Sequence, residues 1–284
     1  MSFRFDRNGT LYVVAPIRRI LAGRGTQRIP ILMYHSVADE DQSAVRPYYR
    51  TATTPSLLLQ HMTWLQEQSY RTVGLASAVN MLHSNKQTCE KIVVITFDDG
   101  YRNFCYHAWP VLKQHGFTAT IFLPTALIGD HPRVFNRREC MTWADVRALQ
   151  EQGISFGSHT ATHPQLHGLA GDRIREEVLA SRKTIEDRIG VAVDSFAYPY
   201  AFPQVDEAFK KMLRVTLEET GYRYGVCTQI GRARTASDQF FLERLPINSG
   251  DDIALLQAKM DGDYDWVGDV QSLAKRFRKT RFKR

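Results

Sequence analysis

At 284 residues the chain can bury a large core, and its formal net charge of +7 equals the excess in its last eleven residues, which hold seven bases and no acid. The body without that segment is close to neutral, so the high pI is no argument for a nucleic-acid-binding surface. The four cysteines, Cys89, Cys105, Cys140 and Cys227, contain no Cys-x-x-Cys pair; this excludes a disulfide framework or a structural zinc site and suits reduced thiols in a cytosolic protein.

The chain begins with a basic extension, residues 1–28, in which Arg4, Arg7, Arg18, Arg19, Arg24 and Arg28 face a lone Asp6. Its apolar run 11–15 stops at Pro16 and is too short for a signal peptide, and no later stretch is long enough to span a bilayer. Both facts lead to a cytoplasmic expectation, with a peripheral position at the inner face of the membrane as an option. Strands are predicted over 29–34, 92–97, 118–123, 154–158, 195–198, 224–227 and 240–247, apolar enough to be buried on both faces. Helices are predicted over 55–68 behind a Thr54 cap, 143–152 behind Thr142, 173–189 up to Gly190, and 205–220 up to Gly221. Seven strands alternating with helices predict a distorted (β/α)7 barrel over residues 29–262, with an open doubly wound sheet as the alternative. Residues 263–284 form a C-terminal segment. Its Asp263-Tyr264-Asp265-Trp266 cluster either covers the barrel mouth or is a loop, and its basic tail, with Phe277 and Phe282, is either a solvated terminus or a contact for an anionic membrane. No nucleic acid is expected as a partner, because no recognition module accompanies the charge.

Two features carry chemistry. Asp98-Asp99-Gly100 follows a predicted buried strand, where adjacent carboxylates are costly unless paired or bound to metal. His159 and His163 follow another strand end, four residues apart. An Asp with two His is a full ligand set for an open catalytic metal site, and the second Asp can serve as a base. His35 and Tyr200 also stand at predicted strand ends, where barrel enzymes place their functional residues. Tyr101 and Trp143 either stack on a ligand's ring or belong to the core.

Thr96-Phe97-Asp98-Asp99-Gly100, His159-Thr160-Ala161-Thr162-His163 and Phe196-Ala197-Tyr198-Pro199-Tyr200, in that order, resemble the successive signature motifs of the polysaccharide deacetylases, carbohydrate esterase family 4. The resemblance runs from about residue 29 to residue 247. It implies metal-dependent removal of acetyl groups from N-acetylated sugars, in an exopolysaccharide or its lipid-linked precursor. Asp98 is then the general base, Asp99, His159 and His163 hold a divalent metal (zinc, or another first-row transition ion), and the Tyr200 amide stabilises the oxyanion. Two positions depart from the pattern. The Arg two residues before the motif's Pro, which braces the base, is replaced by Ala197, and Arg244 is the candidate substitute. The late Leu-x-His motif that supplies the acid is absent. Met33-Tyr34-His35 resembles the Met-Tyr-His of the circularly permuted biofilm-polysaccharide deacetylases, which makes His35 the expected acid. Rival readings are an amidohydrolase of a small non-sugar amide and a catalytically impaired sugar-binding homologue.

Overall fold

The computed structural model describes residues 4–20, 27–84 and 90–281. Seven parallel strands close on themselves: β1 (Ile31–Tyr34), β2 (Lys91–Phe97), β3 (Thr120–Leu123), β4 (Ser155–Ser158), β5 (Ser195–Ala197), β6 (Tyr224–Ile230) and β7 (Leu242–Pro246). Each pairs with its successor, and β7 returns to β1 with Leu245 opposite Leu32. Closure removes the open-sheet alternative and gives the expected seven-stranded barrel. The distortion is local. β4 and β5 share a single register pair, Ser158 with Phe196, and the β6–β7 ladder slips between Val226 and Ile230.

The strand predictions fall on the barrel in order, with shifted ends. β1 starts at Ile31 because Pro30 has no N–H for a ladder; Arg28–Ile29 instead pairs antiparallel with Ala233–Arg234. Strand Tyr70–Thr72, not foreseen, pairs with the first half of β2. Helix starts follow the caps. Thr54 accepts from the Leu57 amide at 3.2 Å, and Thr142 forms a reciprocal capping box with Asp145. Helix Gly171–Ile189 ends on Gly190 in the left-handed conformation.

The two termini are packed together. Residues 5–20 are helical, and their arginines meet acids near the other end of the chain: Arg7 with Asp252, Arg18 with Asp263 at 3.4 Å, while Arg4 donates to the Gly250 carbonyl at 2.8 Å. Arg28 pairs with Asp265 at 2.9 Å. Tyr264 donates to Asp6 at 2.7 Å and Trp266 to Thr10 at 2.9 Å. Acids of the same chain thus take Arg7, Arg18 and Arg28. Asp263-Tyr264-Asp265-Trp266 is their docking site, and helix Asp265–Arg281 carries the chain through most of the basic tail. That helix lies against the barrel. A Cβ on Gly268 would stand 2.0 Å from the Ile230 carbonyl oxygen, and Lys275 donates to the Phe202 carbonyl at 2.8 Å. Cys89 and Phe282 lie outside the described residues. No helix among the described residues is long and apolar enough to cross a membrane.

Candidate active site

At the end of β2 the Asp98 amide still donates to the Tyr34 carbonyl of β1, at 3.0 Å. Asp99 and Gly100 then both take positive φ, 71° and 61°, which turns the chain sharply and sends the two carboxylates to different partners. A side chain at Gly100 would meet Leu123 at 2.8 Å, so glycine is required for space as well as for conformation.

Asp98 is 2% exposed and is held through both oxygens by Arg244, Nη1 and Nη2 each 2.7 Å away. Arg244 comes from β7 and is fully buried. It also donates to the Cys227 carbonyl at 3.0 Å and to the Thr96 hydroxyl at 3.2 Å, and Thr96 passes its own proton to the Leu32 carbonyl. The fork-to-fork geometry is the strong form of this contact. Burial alone would push the Asp98 carboxyl up, but the Arg244 guanidinium overrides it and holds the group ionised below the usual range. The structure thus brings to Asp98, from a different strand, the guanidinium that Ala197 cannot provide.

Ala197 has another task. Its carbonyl lies 2.7 Å from His159 Nδ1. A carbonyl only accepts, so Nδ1 carries the hydrogen, and in the neutral ring Nε2 is a bare lone pair. Burial pulls this imidazole down to about 4, so it is neutral in ordinary buffers. His159 Nε2 faces Asp99 Oδ1 at 3.6 Å, and His163 Nε2 faces the same oxygen at 3.2 Å. An electron-rich nitrogen opposite a carboxylate oxygen is unfavourable unless a cation lies between them. Ligands held about 2.1 Å from a tetrahedral zinc are about 3.4 Å apart, so this spacing fits a small divalent ion. Asp99, His159 and His163 form the candidate metal site, with donor atoms all within 4.8 Å of one another.

The loop carrying the histidines is tied down by a residue that sequence reasoning missed. Glu177, buried on helix Gly171–Ile189, accepts from the Ala161 and Thr162 amides at 3.0 and 2.8 Å and from the Thr162 hydroxyl at 2.7 Å. These contacts hold a turn in which Thr160 and His163 both have positive φ. A signal existed: Glu177 falls three residues after Ile174 and one before Val178, on the buried face of an otherwise amphipathic helix.

The remaining candidates divide. His35 follows β1 directly and is half-buried, and the register of β1 with β2, Tyr34 opposite Phe97, sets it level with Asp98. Tyr200 is half exposed, with positive φ and its ring edge-on to His163 at 4.7 Å between centroids. Tyr101 and Trp143 do not meet the expectation of sugar stacking. Each is only 2% exposed: Tyr101 packs between Phe135 and Arg138, and Trp143 lies under Arg188, so neither offers a ring face to a ligand.

The sequence profile of the family named Polysaccharide deacetylase matches residues 85–225, which span β2 to the start of β6 and hold the acid pair and both histidines. YxkH of Bacillus subtilis (strain 168), named for the same family, is 32% identical over 223 residues, covering 78% of this chain and 72% of YxkH. The chain belongs to the polysaccharide deacetylases. Another relative, the poly-β-1,6-N-acetyl-D-glucosamine N-deacetylase of Escherichia coli (strain K12), is 29% identical over 139 residues, 45% of this chain but 20% of that enzyme. Among solved structures, the Streptococcus pyogenes deacetylase PplD in complex with acetate superposes with a TM-score of 0.72 at 23% identity, covering 83% of this deacetylase and 99% of PplD. IcaB from Ammonifex degensii gives 0.69 at 20% identity, covering 84% and 98%. At these identities the two structures establish the shared fold.

Proposed function

We propose that this polysaccharide deacetylase hydrolyses the acetamide of N-acetylhexosamine units in a glycan, an exopolysaccharide or its lipid-linked precursor. The observation that carries the reading is the pairing of one buried carboxylate, Asp98, with a fixed guanidinium, directly beside a second carboxylate that faces two imidazole nitrogens. The E. coli relative's action on an N-acetylglucosamine polymer supports the choice of sugar.

Asp99, His159 and His163 would hold a divalent metal, and their nitrogen-rich donor set suits zinc; such an ion supplies a Lewis acid and makes a neighbouring water more acidic. Asp98 takes the proton from the attacking water. Arg244 keeps it ionised and fixes its direction, so it is ready to accept, and its weak basicity suffices for an acidified water. His35, at the end of β1, delivers a proton to the leaving amine. The Tyr200 amide, presented by a residue in left-handed conformation, donates to the oxygen that gains charge as the carbonyl becomes tetrahedral. Acetate release from N-acetylglucosamine oligomers, with defined divalent metals added to metal-stripped protein, is the test. Release with a metal and none without supports the reading, and no release from any N-acetylated glycan with every metal tried rejects it.

A further inference from the structure

The helical segment 5–20 is amphipathic in the wrong sense for a helix that merely covers a core. Its inward side carries Thr10 and Ala15, both buried, and its outward side carries Phe5, Tyr12, Val13, Ile17 and Ile20, all 50–84% exposed. Of the bases on or beside this segment, Arg4, Arg7 and Arg18 are held by partners near the other end of the chain. Helix Asp265–Arg281 has a matching stripe. Val270, Leu273 and Phe277, spaced for one helix face, are 53–65% exposed, and Trp266 continues the same line one turn earlier. The two stripes meet where Phe5 packs edge-on against Trp266, with ring centroids 6.3 Å apart. The two stripes adjoin there, and past Phe277 the sequence continues with five bases and no acid.

We infer that this surface docks on an anionic lipid bilayer, with the two apolar stripes at the level of the headgroups and the basic segment on the acidic lipid charges. A soluble monomer seldom leaves apolar stripes this exposed. The charge selects the partner. Two copies of this chain joined through the surface would bring like-charged segments together, whereas an anionic leaflet complements them. Tyr12, Phe5 and Phe277 are residue types that sit well at a membrane interface. The inference does not depend on the reaction, because none of these residues touches the acid pair or the histidines.

The test uses the whole chain, in flotation with vesicles of phosphatidylcholine alone and of phosphatidylcholine mixed with phosphatidylglycerol. Binding to the anionic vesicles is expected to be at least about tenfold stronger and to weaken with added salt. Tyr12→Ser with Ile17→Ser, and separately Leu273→Ser with Phe277→Ser, should each weaken binding by about tenfold or more while circular dichroism stays unchanged. If either pair disturbs folding, Ile20→Ser alone, at the most exposed of these positions, should still weaken binding measurably. Equal binding to both vesicle types, or undiminished binding by the folded variants, overturns the inference. So does a dimer in light scattering that these substitutions dissociate, which would mean that a second copy takes the surface.

Discussion

At Asp251 and at Asp98 a carboxylate with almost no exposure meets a buried cation, Lys259 in the first case and Arg244 in the second. Around Asp251 every group is satisfied. Lys259 lies 2.8 Å from one oxygen and also donates to the Pro246 carbonyl; the Asn248 amide binds the other oxygen at 2.7 Å; Arg4 adds a further charge at 3.6 Å. Its neighbour His61 is equally complete, with Nε2 on the Asp251 carbonyl and Nδ1 on the Tyr34 hydroxyl. His159 begins the same way, with one nitrogen on a carbonyl, but its other nitrogen faces Asp99 instead of a donor. Both imidazoles are kept neutral by burial. The difference lies in what remains: the Asp251 cluster is closed, while the Asp98–Asp99 cluster carries one more negative charge than its guanidinium offsets. Burial of charge does not by itself mark a site. An unbalanced buried charge does.

The largest effect that bears on this contrast is catalytic. Asp98→Asn keeps the shape and part of the Arg244 contact but removes the proton acceptor, so kcat for acetate release should fall by about 10²–10⁴-fold with metal content unchanged. A variant with wild-type turnover would remove Asp98 from the chemistry. The same substitution logic applied to the closed cluster should affect stability instead. Lys259→Met leaves the Asp251 carboxylate with only the more distant Arg4 as a cation and should cost about 3–5 kcal/mol in urea unfolding. A loss below about 1 kcal/mol would mean that Arg4 alone balances the charge. Acetate release per folded molecule should be unaffected.

The sequence made one of these clusters legible and hid the other. Adjacent aspartates after an apolar run, and two histidines beside a strand end, are local patterns, and so is the alternation of strands and capped helices that gives the barrel. Arg244 was reachable only by asking what replaces the arginine missing at Ala197; nothing within Leu242–Pro246 says that its guanidinium turns inward. The Asp251 cluster joins residues 4, 61, 251 and 259, and no spacing rule links positions so far apart. The same holds for the clasp between the termini, where arginines that look free in the sequence are matched by acids about 245 residues later. For Tyr101 and Trp143 the sequence leaves stacking and core both open, for the opposite reason. Closeness in sequence to the acid pair, or to a helix start, says nothing about which way a ring faces once the barrel packs.

A smaller effect should come from the clamp on the histidine loop. Glu177→Gln retains one acceptor but loses the charge that gathers two amides and a hydroxyl. It should cost about 1–3 kcal/mol in stability and weaken metal binding by about 10–100-fold, read by titrating metal-stripped protein. Unchanged affinity in a destabilised variant would confine Glu177 to holding the fold.

The smallest expected change separates the two clusters most directly. Asn tolerates the left-handed conformation that Asp99 adopts, and its amide oxygen can still accept from His163. In metal-free protein, then, Asp99→Asn removes the unbalanced charge without breaking a salt bridge to a guanidinium or an ammonium. Its stability should stay within about 1 kcal/mol of the wild type, or rise. The comparison with Lys259→Met, where one member of a balanced set is lost, is then a difference of several kcal/mol between two buried charged side chains. Adding a divalent metal should reverse the order at position 99. The wild type gains about 2.7 kcal/mol once the free ion is at a hundred times its dissociation constant, and the variant gains little, because binding to the folded state alone produces that stabilisation. If metal-free Asp99→Asn were instead as destabilised as Lys259→Met, the acid pair would be a closed structural cluster like the one at Asp251, and the space between Asp99 and its histidines would not be a place kept for a cation.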